Sequence, residues 1–159
     1  MTISYPSLNV ELTTDPKGLG YANTLPTSDI ATAALLNNLT GPGVGTVTIP
    51  SFTRGQLLDL SIPLEDQLNT GTSVSGVTFT QLLINKWTGR FDALRSGDPV
   101  IQTSAIINLL NSAVTDGLTT SAYVTQITTR TGSRAEVLFG VGTVAVWQDV
   151  AKAMGRMPS

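Results

Sequence analysis

The chain has 159 residues with no cysteine and no histidine, nine Lys plus Arg against eleven Asp plus Glu for a formal net charge of −2, and 41% apolar residues. A chain of this length buries enough apolar surface to fold without a disulfide or a structural metal, and the two missing residue types exclude a thiol nucleophile, an imidazole base, and the zinc or haem sites built on them. The charges are scattered without runs, which leaves no electrostatic footprint for a phosphate backbone or an anionic membrane.

From Tyr5 to Asp15, Leu8, Val10 and Leu12 fit a short helix that Pro6 opens and Asp15-Pro16 stops. Lys17-Gly-Leu-Gly-Tyr21 follows as a turn in which two glycines permit positive φ. Thr27 or Ser28 caps a second helix to about Asn38, with Ile30, Ala31, Ala34, Leu35 and Leu39 expected on its apolar side and Gly41-Pro42-Gly43 at its end. Thr46 to Pro50 alternates polar and apolar residues and is the best strand candidate in the chain. Ser51 or Thr53 then caps a brief helix over Arg54 to Leu60, Pro63 opens a further turn through Leu64 to Leu68, and Asn69 to Gly76 has the composition of a loop.

Phe79, Leu83, Trp87, Phe91 and Leu94 recur at spacings of four, four, four and three, which predicts an amphipathic helix from about Thr78 to Ser96. After Gly97, Asp98 as cap and Pro99 at the first helical position predict another, with Ile101, Ala105, Leu109, Ala113 and Ile106, Leu110, Val114 forming one wide apolar face up to Gly117. Thr119 or Thr120 caps a helix bearing Tyr123, Val124 and Ile127; Ser133 and Glu136 stand at capping-box spacing before a short helix stopped by Gly140. Trp147, Val150, Ala151 and Met154 predict a closing helix that Gly155 ends. The expected fold class is mainly α: a compact multi-helix domain with short extended or β connectors. It spans 1–159 as a single domain, which allows 1–50 as an N-terminal arm or subdomain and 77–155 as a helical scaffold.

Candidate chemistry is sparse. Glu65-Asp66 is the one adjacent carboxylate pair, and paired carboxylates hydrolyse glycosides, but neighbours on a helix diverge by about 100° and a solvated first turn explains both. Asp59, Asp92 and Asp149 could join them only in three dimensions. Gly41-Pro-Gly43-Val-Gly45 and Gly140-Val-Gly142 lack the spacing and the Lys-Ser/Thr of phosphate loops and read as helix stops. Asn38-Leu39-Thr40 matches a glycosylation acceptor, yet Met1 to Pro6 carries no secretory pattern and no long apolar run follows, so a soluble, unprocessed chain is expected. Trp87 and Trp147 both lie on apolar stripes and are expected in the core rather than on a contact surface. No catalytic, cofactor or metal site is expected.

Threonine makes up 24 of the 159 residues, and lysine only three. A weakly charged exterior of hydroxyls and amides costs little to desolvate and suits permanent contacts between subunits. The six arginines, Arg54 among them, suit pairing across an interface.

Two stretches carry a resemblance. Leu8, Glu11, Leu12, Asp15-Pro16 and Gly20-Tyr21, together with Ser133-Arg-Ala-Glu136, Leu138, Gly140, Gly142-Thr-Val144 and Asp149-Val150-Ala-Lys-Ala153, resemble the two ends of small proteins encoded in the structural modules of tailed bacteriophages. The resemblance implies a non-enzymatic virion or morphogenesis protein, made in the host cytoplasm and carried in the particle at tail, neck or capsid. Its partners would be other virion proteins, with several copies per assembly, and neither nucleic acid nor membrane would be contacted directly. An intracellular accessory protein is the alternative, and a carboxylate hydrolase comes third. The interface candidates are Leu19 and Tyr21 in the first turn, Val47 and Ile49 in the extended piece, Arg54, and Val74 in the loop; an extended segment can add to a neighbour's sheet edge.

Overall fold

The computed structural model describes residues 2–97 and 100–158. Its elements in chain order are α1 (Tyr5–Thr14), α2 (Tyr21–Thr24), α3 (Asp29–Asn37), β1 (Gly45–Thr48), β2 (Ser51–Thr53), α4 (Arg54–Asn69), α5 (Gln81–Ser96), β3 (Val100–Gln102), α6 (Thr103–Thr115), α7 (Ser121–Thr128), β4 (Thr129–Gly132), α8 (Arg134–Phe139) and α9 (Trp147–Ala153). The fold is mainly α, as the periodicities require: nine helices among the described residues, and four strands of three or four residues in two two-stranded sheets. The chain packs as two units, residues 1–47 with 130–159, and residues 48–129 between them in sequence. The N-terminal stretch shares its unit with the C-terminal one, and residues 77–155 contribute to both units.

In the first unit, α1 begins with Pro6, whose fixed φ and missing N–H suit a first turn. It ends at Asp15, the one non-glycine residue with positive φ (43°) among the described residues. Ser28 caps α3 by accepting from the Ala31 N–H at 3.1 Å. The buried side of α3 is Thr32, Ala33 and Leu36, not the expected Ile30–Leu39 stripe: Ile30 is 70% exposed. α3 is apolar nearly all round, so spacing alone selects no face; α8 and α9, which pack on it, do. Leu8, Leu12, Tyr21, Ala33 and Leu36 meet Ala135, Ala145, Val150 and Ala153 in one core. Trp147 opens α9 at 44% exposure, against the expectation that it is core. Only the side of α9 holding Val150, Ala151 and Ala153 is buried.

β1 pairs with β4 in one of the two-stranded sheets. Their approach is close: a Cβ on Gly132 would lie 2.6 Å from a Val47 methyl. Sequence reading places no strand at β4, because three or four residues give too short a pattern to separate from a loop.

In the second unit, Thr53 caps α4 in a capping box with Gln56. The helix runs unbroken through Pro63 to Asn69, where two helical pieces were expected. Proline removes one N–H donor, but the side of α4 bearing Leu57, Ser61, Leu64 and Leu68 is buried on both sides of it, and that packing outweighs the lost bond. Ser51 and Phe52, expected at or near a cap, form β2 and pair antiparallel with β3 in the register Ser51↔Gln102, Phe52↔Ile101, Thr53↔Val100. The expected cap at Asp98 and first helical residue at Pro99 lie outside the described residues; α6 starts at Thr103, and Ala105, expected on its apolar face, is exposed. Phe52, Leu57, Leu64, Phe79, Trp87, Phe91, Ile106, Leu110 and Leu118 dominate the core. Trp87 is fully buried, with Phe91 at 5.7 Å between ring centroids, which stabilises this unit by several kcal/mol, about 3–5 by analogy with truncations of buried aromatics.

Candidate functional site

The densest polar cluster lies where the two resembling stretches meet. Glu11 on α1 and Arg134 at the start of α8, 123 residues apart in sequence, form a buried bidentate pair, Nε to Oε1 at 2.8 Å and Nη2 to Oε2 at 2.6 Å. The Tyr21 hydroxyl donates to the same Oε1 at 3.3 Å. Burial first, then the neighbouring Glu11 carboxylate, pushes the Tyr21 phenol well above its usual range, so it stays protonated and serves as a donor. The hydrogen bonds to Glu11 hold the Arg134 guanidinium still more firmly charged, against the cost of its burial. Asp15, one turn beyond Glu11, accepts from the Leu19 and Gly20 N–H groups at 2.7 Å each and so closes the turn before Tyr21. Gly20 at φ 84° supplies the left-handed conformation that turn requires.

Glu136 is the hub of a second cluster. Its carboxylate accepts from Arg130 through both oxygens, at 2.9 and 2.5 Å, from the Ser133 N–H at 3.2 Å and from the Gly142 N–H at 2.8 Å. The Arg130 hydrogen bond is the largest influence and, with the two backbone donors, outweighs partial burial, so the Glu136 pKa falls to about 2. Ser133 completes the capping box read from the sequence. Asn37 adds a further clamp by donating to the Ala145 carbonyl at 2.7 Å and accepting from the Ala145 N–H at 2.9 Å.

In the second unit Asp116 receives the Trp87 indole N–H at 2.8 Å and the Lys86 ammonium at 2.5 Å. Burial opposes its charge, but these two donors prevail and keep Asp116 below the usual carboxylate range. Arg90 stacks over the Trp87 ring at 4.7 Å. A shallow groove of about 350 Å³ runs beside this cluster, lined by Ser73, Val77, Phe79, Leu83, Thr115 and Gly117 among others. Gly117, at φ 80°, closes one wall so tightly that a Cβ there would meet Ser73 at 2.6 Å.

The six interface candidates are dispersed. Tyr21 is wholly buried and Val47 is 8% exposed; both are core residues and present no contact surface. Leu19 and Ile49 are half-buried, each packed against the core of its own unit. Arg54 is half-buried and donates to the Gly97 carbonyl. Val74, 49% exposed, alone of the six leaves about half its surface outward. Tyr21, although beside two glycines, is the residue of this turn that enters the core.

Glu65 and Asp66 do not converge on a shared point: Glu65 accepts from Ser61 at 3.0 Å and pairs with Arg95, while Asp66 is exposed. Asp59 is exposed, Asp92 pairs with Arg95, and Asp149 accepts from the Val146 N–H at the start of α9. Gly140 ends α8, and Gly43 gives way to β1 rather than to a helix. The Asn38 side chain accepts from both the N–H and the hydroxyl of Thr40, at 2.9 Å, within a surface turn. Among the described residues no three acidic side chains gather as a metal site, and no helix is long and apolar enough to cross a membrane. The residues that sequence reading gave no role in a site are Glu11, Arg134 and Arg130; Glu11 and Arg134 stood only as the E and R of the two resembling stretches, and Arg130 lies outside both. No protein-family model matches the chain, and neither a curated protein nor a solved structure is significantly similar to it.

Proposed function

We propose that the chain is a non-enzymatic structural component of a tailed-phage virion, present in several copies and binding other virion proteins at the tail, neck or capsid. The observation that carries this reading is the convergence of the two resembling stretches. Leu8, Glu11, Leu12, Asp15 and Tyr21 from one, and Arg134, Glu136, Val150 and Ala153 from the other, build a single unit through one core and its polar clusters. They behave as one motif divided by 82 intervening residues of a second unit (48–129), and their chemistry is that of a scaffold: every charged group among them is held by a partner within the unit.

The surface agrees with a role in assembly. Of the nine cationic residues, Lys86, Arg95, Arg130, Arg134 and Arg156 are in ion pairs within the chain, so little net charge is offered outward. Val10, Ile30, Leu82, Val144 and Trp147 stand exposed.

Mass spectrometry of purified particles from the host that carries this gene, quantified against the major capsid protein, tests the reading. Tens of copies or fewer assign the chain to neck or tail, and hundreds to the capsid surface. Absence from the particle overturns the proposal and favours an intracellular accessory protein.

A further inference from the structure

The groove beside Asp116 lies between the segment from Ser73 to Thr80 and the C-terminal end of α6. The Val74 N–H ties the two walls together by donating to the Gly117 carbonyl at 2.8 Å. The segment is shaped by its own main chain, with the Ser73 N–H on the Val77 carbonyl at 2.7 Å and the Phe79 N–H on the Gly71 carbonyl at 2.8 Å. The groove is thus formed without a ligand, and a preformed site loses little order on binding. Past Thr115 and Asp116 it continues into a second hollow of about 250 Å³, lined by Lys86, Asn108 and Asn111.

Asp116 stands at the junction of the two hollows, and its bonding is one-sided. The Trp87 indole N–H and the Lys86 ammonium both donate to Oδ2, whereas Oδ1 has no partner among the described residues and is open to solvent. Anchoring Trp87 and Lys86 therefore uses one carboxylate oxygen and leaves the other as a strong acceptor in the groove. Lys86 spends one of its three N–H donors on Asp116 and keeps two. A donor and an acceptor are set side by side, next to the apolar Val77 and Leu83.

Charge narrows the ligand. Lys86 neutralises Asp116, so a cation finds no unpaired carboxylate, and an anion meets the negative Oδ1. Arg90 lies against the Trp87 ring and lines neither hollow. The ligand that fits is neutral, with hydroxyls that both donate and accept and a carbon skeleton with an apolar face, which describes a sugar ring. We propose that this groove binds a neutral saccharide: Asp116 Oδ1 accepts from one hydroxyl, Lys86 donates to the hydroxyl next to it, and the C–H face of the ring lies along Leu83. The site does not depend on the reading of the chain as a virion component.

Trp87 provides the reporter, because its indole N–H is bonded to Asp116. Trp147, which belongs to the other unit, is the internal control. Amide and indole NMR spectra of the full-length protein are recorded with glucose, galactose, mannose, rhamnose or N-acetylglucosamine up to about 50 mM, a range that captures weak, millimolar binding. At least one of these sugars should shift the Trp87 indole signal and the amides of Val77, Thr115 and Gly117 saturably while leaving the Trp147 indole in place. Asp116→Asn should weaken that binding by about tenfold or more, the loss of a hydrogen bond to a charged group. If Asp116→Asn fails to fold, Thr115→Phe, which fills the junction from an exposed position, should abolish the shifts. No saturable shift with any of the sugars, shifts of equal size at both indoles, or binding that survives the variants overturns the inference. Saturation by galacturonate, glucosamine or N-acetylglycinamide in preference to the neutral sugars overturns it too, and assigns the groove to an anion, a cation or an amide. A chain found in particles but indifferent to every sugar refutes the groove alone; one that binds a sugar but is missing from particles refutes the virion reading alone.

Discussion

The Glu11–Arg134 pair shows how a polar contact can be costly to break without adding much net stability. Both side chains are buried, so much of their attraction offsets desolvation. Arg134→Met strands the Glu11 carboxylate in the core, and urea unfolding should show a loss of about 3–5 kcal/mol. Replacing both partners, Glu11→Met with Arg134→Leu, should recover most of it, because no charge is then left unpaired. Glu136 makes a pH prediction. Its pKa falls from an ordinary 4.5 to about 2 in the folded chain, so its contribution is fully present above pH 4.5, declines as the pH falls, and is gone below pH 2. Acid unfolding curves of Glu136→Gln should lack this share of the decline between those limits; a variant with the same acid limb as the unaltered chain would refute the assignment.

At the scale of elements, what a helix buries differs from what its pattern suggests. α5 keeps its heptad-like face, with Trp87 and Phe91 inward, and Trp87→Ala should cost about 3–5 kcal/mol in a chemical denaturation. Trp147, at the exposed end of α9, should cost under about 1 kcal/mol on the same change. A larger loss would place it in a packed environment. α4 tolerates Pro63 because its buried residues on either side hold the helix together. Pro63→Ala restores a main-chain donor in mid-helix and should raise stability by roughly 1 kcal/mol, part of the usual penalty being offset by the greater freedom of the unfolded chain.

For the whole molecule, two cores with separate membership predict that damage stays local. In hydrogen exchange on the full chain, Trp87→Ala should weaken protection within 48–129 while residues 1–47 and 130–159 keep theirs; a uniform loss across both would mean that the chain opens as one cooperative body.

The sequence by itself determined the helix count nearly in full and most of the boundaries, since caps and stops act within a few residues: Ser28, Thr53, Thr120 and Ser133 all accept the backbone N–H that their positions promise. It also narrowed the chemistry by what the chain lacks. It did not determine which face of α3 is buried, that Pro63 lies inside a helix, or that Tyr21 is core, because each depends on what packs against the residue. The short strands were illegible for a related reason: a three-residue strand has no period of its own and exists through its partner, as β2 does through β3, about fifty residues away. Only the tertiary structure could join Glu11 to Arg134, since the attraction that selects a partner acts through space, and nothing local in either stretch names the other.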